Sequence, residues 1–121
     1  MTMTMTSKQI EVKVKIEFFS KLFGIDPKWA VAIATVESSL GLFQKSPTNC
    51  LGVFQMSSIA MKDLLQDMAE IDDDLIDIVC GIAFLRLLLN RHGSIEKATA
   101  RFCDPLDREV YVPKVLSLME V

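Results

Sequence analysis

The chain has 121 residues, half of them hydrophobic, and a formal net charge of −3 at pH 7. This size and composition are typical of one globular domain with a single hydrophobic core, and they exclude a disordered chain. Acidic and basic residues are interspersed, so the sequence offers no basic stripe, and we expect no nucleic-acid partner. The longest apolar run, residues 30–36, is too short to span a bilayer, and we expect no membrane insertion.

The first residues, MTMTMTS, have neither the apolar core nor the cleavage site of a secretory signal. We therefore expect a disordered leader over residues 1–7 and one domain over residues 8–121. The three cysteines, Cys50, Cys80 and Cys103, form no CxxC pair, and an odd number cannot be fully paired within the chain. With one histidine besides, we expect no zinc site, no cofactor, and thiols kept reduced in the cytoplasm.

Segment 8–23 shows both the alternation of a strand and an apolar stripe at helical spacing that begins with Val12 and Ile16. We favour a helix, because Gly24 follows as a natural C-terminal residue and no partner strand appears later in the chain. A second helix over residues 27–38 is indicated by Asp26 as its cap and Pro27 at its first position.

Four more helices follow, separated by short polar or glycine-containing breaks. They are predicted from Ser57 or Ser58 to about residue 68, over about 75–91, from Ser94 to about Phe102, and in the C-terminal segment that carries Val110 and Met119. Pro113 either kinks the last helix or marks its true start. The sequence thus predicts an all-α domain of five to seven helices.

Glu37 follows one of the most apolar runs of the chain, within the segment WAVAIATVESSLG of residues 29–41. Ala, Val and Ile occupy all faces of this predicted helix, which indicates burial on most sides. A carboxyl at its end would be partly desolvated, and desolvation raises its pKa so that a proton is held near neutral pH. Such a group can act as the general acid of glycoside cleavage, as a carboxylic acid with a raised pKa does in lysozyme. The alternative is an ordinary helix-end Glu that reaches water or pairs with a Lys.

Five segments extend this pattern along the chain. They are Glu37-Ser38, Gly52-Val53-Phe54-Gln55, the DIVCGIAFL helix of residues 77–85, Arg101-Phe102-Cys103, and Tyr111-Val112. In this order and spacing they resemble the transglycosylase domain of soluble lytic transglycosylases, a branch of the lysozyme-like superfamily related to goose-type lysozymes. The resemblance runs over nearly the whole chain. Four family residues are replaced: Tyr-Asn by Phe102-Cys103, an Asn by Asp77, and a helix Tyr by Phe84.

The resemblance implies a lysozyme-like fold built around the helix that carries Glu37, and a peptidoglycan glycan strand as the substrate. Protonated Glu37 would donate to the oxygen that links N-acetylmuramic acid to N-acetylglucosamine. The 2-acetamido oxygen of the muramoyl ring would relieve the charge on C1, and the C6 hydroxyl would close on C1 to give a 1,6-anhydro product. No second carboxylate is needed, and Asp63, Asp67 and residues 72–74 are better explained as a solvated face and a helix N-terminus.

The resemblance also suggests substrate-binding residues. These are Ser46, Gln55, Met56, Phe102, Cys103 and Tyr111. Two of them have a structural alternative: Ser46 as a loop residue before Pro47, and Gln55 as a turn residue that bonds the backbone. Met56 would line the cleft as an apolar wall for sugar faces. Phe102 could stack on a sugar ring, Cys103 is better explained as a small passive residue than as a nucleophile, and Tyr111 would close one wall of the cleft.

Two further function classes stay open at this stage. A muramidase would hydrolyse the same bond and leave reducing sugars, and a non-catalytic glycan-binding or virion structural module would keep only the fold. Peptidoglycan lies outside the cytoplasmic membrane, whereas the sequence shows no export signal. We therefore expect a phage-encoded monomer that is carried in the virion or released at lysis, with delivery to the periplasm by a secretion apparatus as the alternative.

Overall fold

The computed structural model describes residues 4–44, 50–56, 61, 63–64 and 74–120. Five α-helices and one short 3-10 helix have both of their ends within these residues. These are α1 (Ser7–Phe23), α2 (Pro27–Ser38), α3 (Leu75–His92), α4 (Ile95–Phe102), the 3-10 helix (Pro105–Asp107) and α5 (Arg108–Met119). The described residues contain no strand, only an isolated antiparallel bridge between Leu51 and Met56. The predicted all-α class is confirmed.

The helix predicted to begin at Ser57 or Ser58 lies mostly outside the described residues. Of that segment the structure describes Met61, Asp63 and Leu64, and all three are helical.

Helix α1 begins earlier than the sequence indicated. Thr6 and Ser7, which we assigned to the leader, are the N-cap and the first residue of the helix. The Thr6 hydroxyl accepts the backbone N–H of Gln9 at 3.1 Å, and the Gln9 side chain accepts the backbone N–H of Thr6 at 3.0 Å. This reciprocal pair is a capping box, in which two otherwise unpaired backbone donors are satisfied. The Met-Thr repeat therefore supplies the cap of the first helix.

The other helix boundaries follow the capping chemistry that the sequence contains. Asp26 caps α2 by accepting the Lys28 backbone N–H at 2.9 Å, and Ser94 caps α4 in the same way. Gly24 and Gly93 end α1 and α3 in the left-handed conformation that glycine adopts at low cost. Pro113 lies inside α5, five residues after its start, so it does not mark the beginning of that helix.

The helices pack in a closed ring. Helix α2 lies between α1 and α5, helix α4 packs on α5 and α3, and α3 returns to α1. The indole N–H of Trp29 in α2 reaches across to the Thr99 hydroxyl of α4 at 2.8 Å, and both side chains are fully buried. Half of α2 is buried, as its apolar sequence predicted. The helix whose last turn contains Glu37 is therefore one member of this ring, packed between α1 and α5.

The two central sequence motifs pack directly against each other. Phe54 is fully buried, and its ring lies where a side chain at Gly81 of α3 would stand. A Cβ atom at position 81 would come within 2.3 Å of the Phe54 ring, so only glycine allows this approach. The turn of residues 51–56 is thus held against α3.

No helix in the described part of the chain is long and apolar enough to span a membrane.

Candidate functional site

Glu37 lies in the last turn of α2, one residue before the helix ends at Ser38. Its side chain is half-buried, and burial raises its pKa from 4.5 to about 7. Among the described residues, burial is the cause of the shift, and this carboxyl has no ion-pair or hydrogen-bond partner there. Near neutral pH the group therefore exists as a mixture of acid and carboxylate, as the sequence predicted.

Two other predicted site residues, Tyr111 and Cys103, interact electrostatically with Glu37. Tyr111 of α5 is 9 % exposed, and its hydroxyl has no hydrogen-bond partner among the described residues. The pKa of Tyr111 is raised, first by burial and then by the charges of Glu37 and Cys103. The pKa of the Cys103 thiol is also raised by burial, with Glu37 adding to the effect and Arg108 opposing it. Three helices thus bring an acid, a phenol and a thiol within electrostatic reach of one another.

The Cys103 thiol lies at the end of α4, where its Sγ is 3.6 Å from the Ala100 carbonyl oxygen. A raised thiol pKa means less thiolate at neutral pH, and the thiolate is the nucleophilic form. Burial thus outweighs the effect of Arg108 and disfavours the thiolate form of Cys103.

Phe102 is half-buried and packs edge-to-face on Phe84 of α3, with ring centroids 5.9 Å apart. The two rings use each other as packing partners.

Gln55 and Met56 belong to the turn of residues 51–56, which is closed by reciprocal backbone hydrogen bonds between Leu51 and Met56. The Gln55 side chain donates from Nε2 to the Gly52 carbonyl oxygen at 2.8 Å, and its Oε1 accepts no hydrogen bond from the described residues. Met56 is 7 % exposed and packs in the core, so it presents little surface to a ligand. Ser46 lies outside the described residues.

Ser38, the neighbour of Glu37, ties this turn to the end of α2. Its hydroxyl donates to the Val53 carbonyl oxygen at 2.6 Å and accepts the Gly41 backbone N–H at 3.0 Å. The side chain is buried, with 2 % exposed. The sequence analysis assigned no role to Ser38. Its hydrogen bond to Val53 joins residues that are far apart in the chain, and no local pattern indicates it.

Asp77 is a second acid that sequence reasoning noted without assigning a role. It lies in the first turn of α3 and is 7 % exposed. Burial raises its pKa to about 7, while its hydrogen bond to the Val53 backbone opposes the shift. Nearby Asp74 raises the pKa further and Lys8 lowers it.

Two non-glycine residues with a left-handed backbone directly follow the helix that carries Glu37. Among the described residues the non-glycine residues with positive φ are Ser39, Leu40 and Gln55. Ser39 and Leu40 follow α2 directly, and Gln55 is in the turn that Ser38 holds. Such conformations cost free energy for residues with a side chain and are found preferentially at functional sites.

Among the described residues, no cluster of three or more His, Cys, Asp or Glu side chains could hold a metal ion. Comparison of the chain with protein-family models, with curated proteins and with solved structures finds no match.

Proposed function

We propose that this protein is a lytic transglycosylase that cleaves the glycan strands of peptidoglycan, with Glu37 as its acid and base. One observation supports the proposal most directly: the Glu37 carboxyl is half-buried at the end of α2, its pKa is raised to about 7, and it is not neutralised by a described partner. A general acid works best when its pKa lies near the working pH. The ordered sequence motifs supply the substrate class.

The reaction needs one proton that is donated and then taken back. Glu37 in its acid form donates to the glycosidic oxygen as the bond to C1 of N-acetylmuramic acid breaks, and the 2-acetamido oxygen bonds to C1. Glu37, now a carboxylate, accepts the proton of the C6 hydroxyl. The C6 oxygen then displaces the acetamido oxygen from C1 and forms the 1,6-anhydro ring. No water is consumed, and Glu37 is again protonated.

The surroundings of Glu37 favour this one-acid route over two-carboxylate hydrolysis. Among the described residues, burial is the cause of the Glu37 pKa shift and no carboxylate adds to it. The other acid with a raised pKa, Asp77, is bound to the Val53 backbone. Hydrolysis by two carboxylates needs the second group close to the same bond.

A non-catalytic glycan-binding module is the second candidate, and the Phe84–Phe102 pair favours it. Two positions where the family pattern has a phenol now hold phenyl rings that contact each other instead. Such a protein would keep the fold and bind glycan strands without cleaving them.

The test compares three purified proteins on cell-wall sacculi: wild type, Glu37→Gln and Glu96→Gln. Glu96 is an exposed acid in the first turn of α4, so its amide variant controls for the loss of one charge. Products are identified by mass spectrometry. We expect the wild type and Glu96→Gln to release muropeptides that are one water lighter than hydrolysis products, and Glu37→Gln to be slower by at least about 100-fold.

Other outcomes of this experiment separate the alternatives. Reducing-end products would identify a muramidase. Binding to sacculi without release of products would identify a non-catalytic module. Equal release by the wild type and Glu37→Gln would contradict the assignment of Glu37.

A further inference from the structure

The backbone of Val53 is held by side chains on both of its polar groups. Its N–H donates to the Asp77 carboxyl, with distances of 3.2 Å to Oδ1 and 3.0 Å to Oδ2. Its carbonyl oxygen accepts the Ser38 hydroxyl at 2.6 Å. Val53 is fully buried, so water cannot replace either partner. The centre of the turn is therefore fixed from α3 on one side and from α2 on the other.

Gly52 allows the Asp77 carboxyl to approach this closely. Its φ is +86°, and a Cβ atom at position 52 would lie 2.6 Å from Oδ2 of Asp77. A side chain would thus be strained in the backbone and would displace the carboxyl. The Gly52 N–H is bound in turn by the Gln44 carbonyl oxygen at 2.9 Å. The turn accordingly has three separate anchors, of which Asp77 is the titratable one.

The position of Gln55 depends on these anchors. Its backbone N–H and its side-chain Nε2 both donate to the Gly52 carbonyl oxygen, at 3.2 Å and 2.8 Å. This carbonyl belongs to the same peptide group as the Val53 N–H that Asp77 accepts. A rotation of that peptide would move the acceptor of both Gln55 hydrogen bonds. The position of Gln55 therefore depends on the orientation of this peptide group, which Asp77 binds.

We propose that Asp77 is a positioning residue: by accepting the Val53 N–H, it fixes the turn of residues 51–56 against the end of α2 and sets the position of Gln55 relative to Glu37. The consequence for glycan cleavage rests on the proposed function, whereas the consequence for the turn does not. Asp77 acts in either protonation state, because both forms of a carboxyl keep an oxygen that accepts an N–H.

Two substitutions at one position isolate the acceptor. Asp77→Asn keeps an acceptor oxygen and the size of the side chain, whereas Asp77→Leu has a similar size and no acceptor. Ile25→Ala serves as a stability control, since Ile25 is a buried residue just before α2, at the opposite end of that helix from Glu37. Global stability of each variant is measured by urea denaturation, so that unfolding can be separated from a local change.

The first measurement is hydrogen exchange of the Val53 amide by NMR, taken relative to the amide of Ile33 in the middle of α2. We expect Asp77→Asn and Ile25→Ala to keep the wild-type ratio. Asp77→Leu should lose protection at Val53 by about tenfold or more, since a lost hydrogen bond of about 1.4 kcal/mol changes an opening equilibrium tenfold. The side-chain amide signals of Gln55 should shift only in Asp77→Leu. An unchanged Val53 ratio or unchanged Gln55 signals in that variant would overturn the proposal.

The second measurement is the rate of cleavage of soluble glycan strands. We expect Asp77→Leu to lower kcat about tenfold or more with KM changed less than about twofold, because a misplaced positioning group affects the reacting geometry. Asp77→Asn and Ile25→Ala should stay close to wild type. Wild-type kcat in Asp77→Leu would overturn the proposal. If the wild type itself cleaves nothing, the proposed function fails, and the exchange and Gln55 signals still decide the role of Asp77 in the turn.

Discussion

At the scale of single residues, the raised pKa of Glu37 could be predicted from the sequence. The directions of the side chains around the site could not. A run of Ala, Val and Ile before an acid indicates burial, and burial raises a carboxyl pKa whatever the fold. The structure agrees, with a pKa of about 7. In contrast, Gln55 turns its amide back to Gly52, which depends on a left-handed backbone at position 55 that no local pattern indicates. Local chemistry was therefore predictable, and side-chain direction was not.

The buried hydroxyl of Tyr111 yields a prediction that separates stability from function. No described residue bonds to this hydroxyl, and a buried polar group without a partner costs free energy. We expect Tyr111→Phe to leave the free energy of unfolding unchanged or to raise it by up to about 1 kcal/mol, measured by urea denaturation. Glycan cleavage should fall in the same variant if the hydroxyl contacts substrate. A loss of stability of more than about 1 kcal/mol would mean that the hydroxyl has a structural partner after all.

At the scale of helices, capping residues set most of the boundaries that the sequence predicted. Asp26, Ser94 and Gly93 occupy the cap positions expected of them. The exception is the start of α1, where Thr6 in a low-complexity leader makes a capping box with Gln9. The pattern of alternating Met and Thr concealed the cap, because a repeat suggested disorder over all of residues 1–7.

The double signal in segment 8–23 has a physical explanation in the structure. Val12 and Ile16 are fully buried, whereas Ile10, Val14 and Phe18 lie on the exposed side of α1, with Phe18 63 % exposed. Apolar residues on both faces of a helix produce alternation in the sequence that resembles a strand. Helical spacing among the buried residues was the correct signal.

The packing of the turn of residues 51–56 on α3 could not be predicted from the sequence, because it depends on contacts between distant segments. The pairing of Phe54 with Gly81 and of Val53 with Asp77 joins the turn of residues 51–56 to α3. Each residue type was visible in the sequence, but nothing in a single chain indicates which glycine faces which ring.

The Phe54–Gly81 contact gives a prediction at the scale of elements. Gly81→Ala would place a methyl group 2.3 Å from the Phe54 ring, so the ring or α3 must shift. We expect a loss of about 1–3 kcal/mol in the free energy of unfolding, the usual cost of overpacking a core. Leu87→Ala in the same helix is the control, since Leu87 is exposed and its truncation should cost much less. Equal stability of Gly81→Ala and wild type would show that the two elements are not in tight contact.

At the scale of the whole molecule, composition and apolar spacing sufficed to predict one all-α domain. The closed order of packing, in which α3 returns to α1, was not predictable from the sequence, because helix periodicity gives no information on which helices meet. In this order α2 packs on α5, and Glu37 interacts electrostatically with Tyr111 of α5 and with Cys103 at the end of α4. The candidate site is therefore a product of the global arrangement.

Two acids with raised pKa values make the stability of the molecule dependent on pH. Glu37 and Asp77 have ordinary pKa values of 4.5 and 3.8, and burial raises both to about 7 in the folded state. Between these values the folded protein holds more protons than the unfolded chain, so stability is highest at low pH and falls as pH rises through 7. A shift of this size corresponds to a loss on the order of 3 kcal/mol for each group.

We expect the free energy of unfolding, measured in urea, to be larger at about pH 5 than at about pH 8. Glu37→Gln and Asp77→Asn should each reduce this difference, because an amide does not ionise in either state. The double variant should show the smallest difference. A wild-type protein that gains stability over the same interval would contradict the burial of these two carboxyls.

The most direct measurement is a titration of the Glu37 side-chain carboxyl followed by NMR of the carboxyl carbon. Glu37→Gln identifies the signal by its disappearance. The account predicts a midpoint near the value of about 7 that burial produces. A midpoint near the ordinary value of 4.5 would mean that the group is ionised at neutral pH and holds no proton to donate.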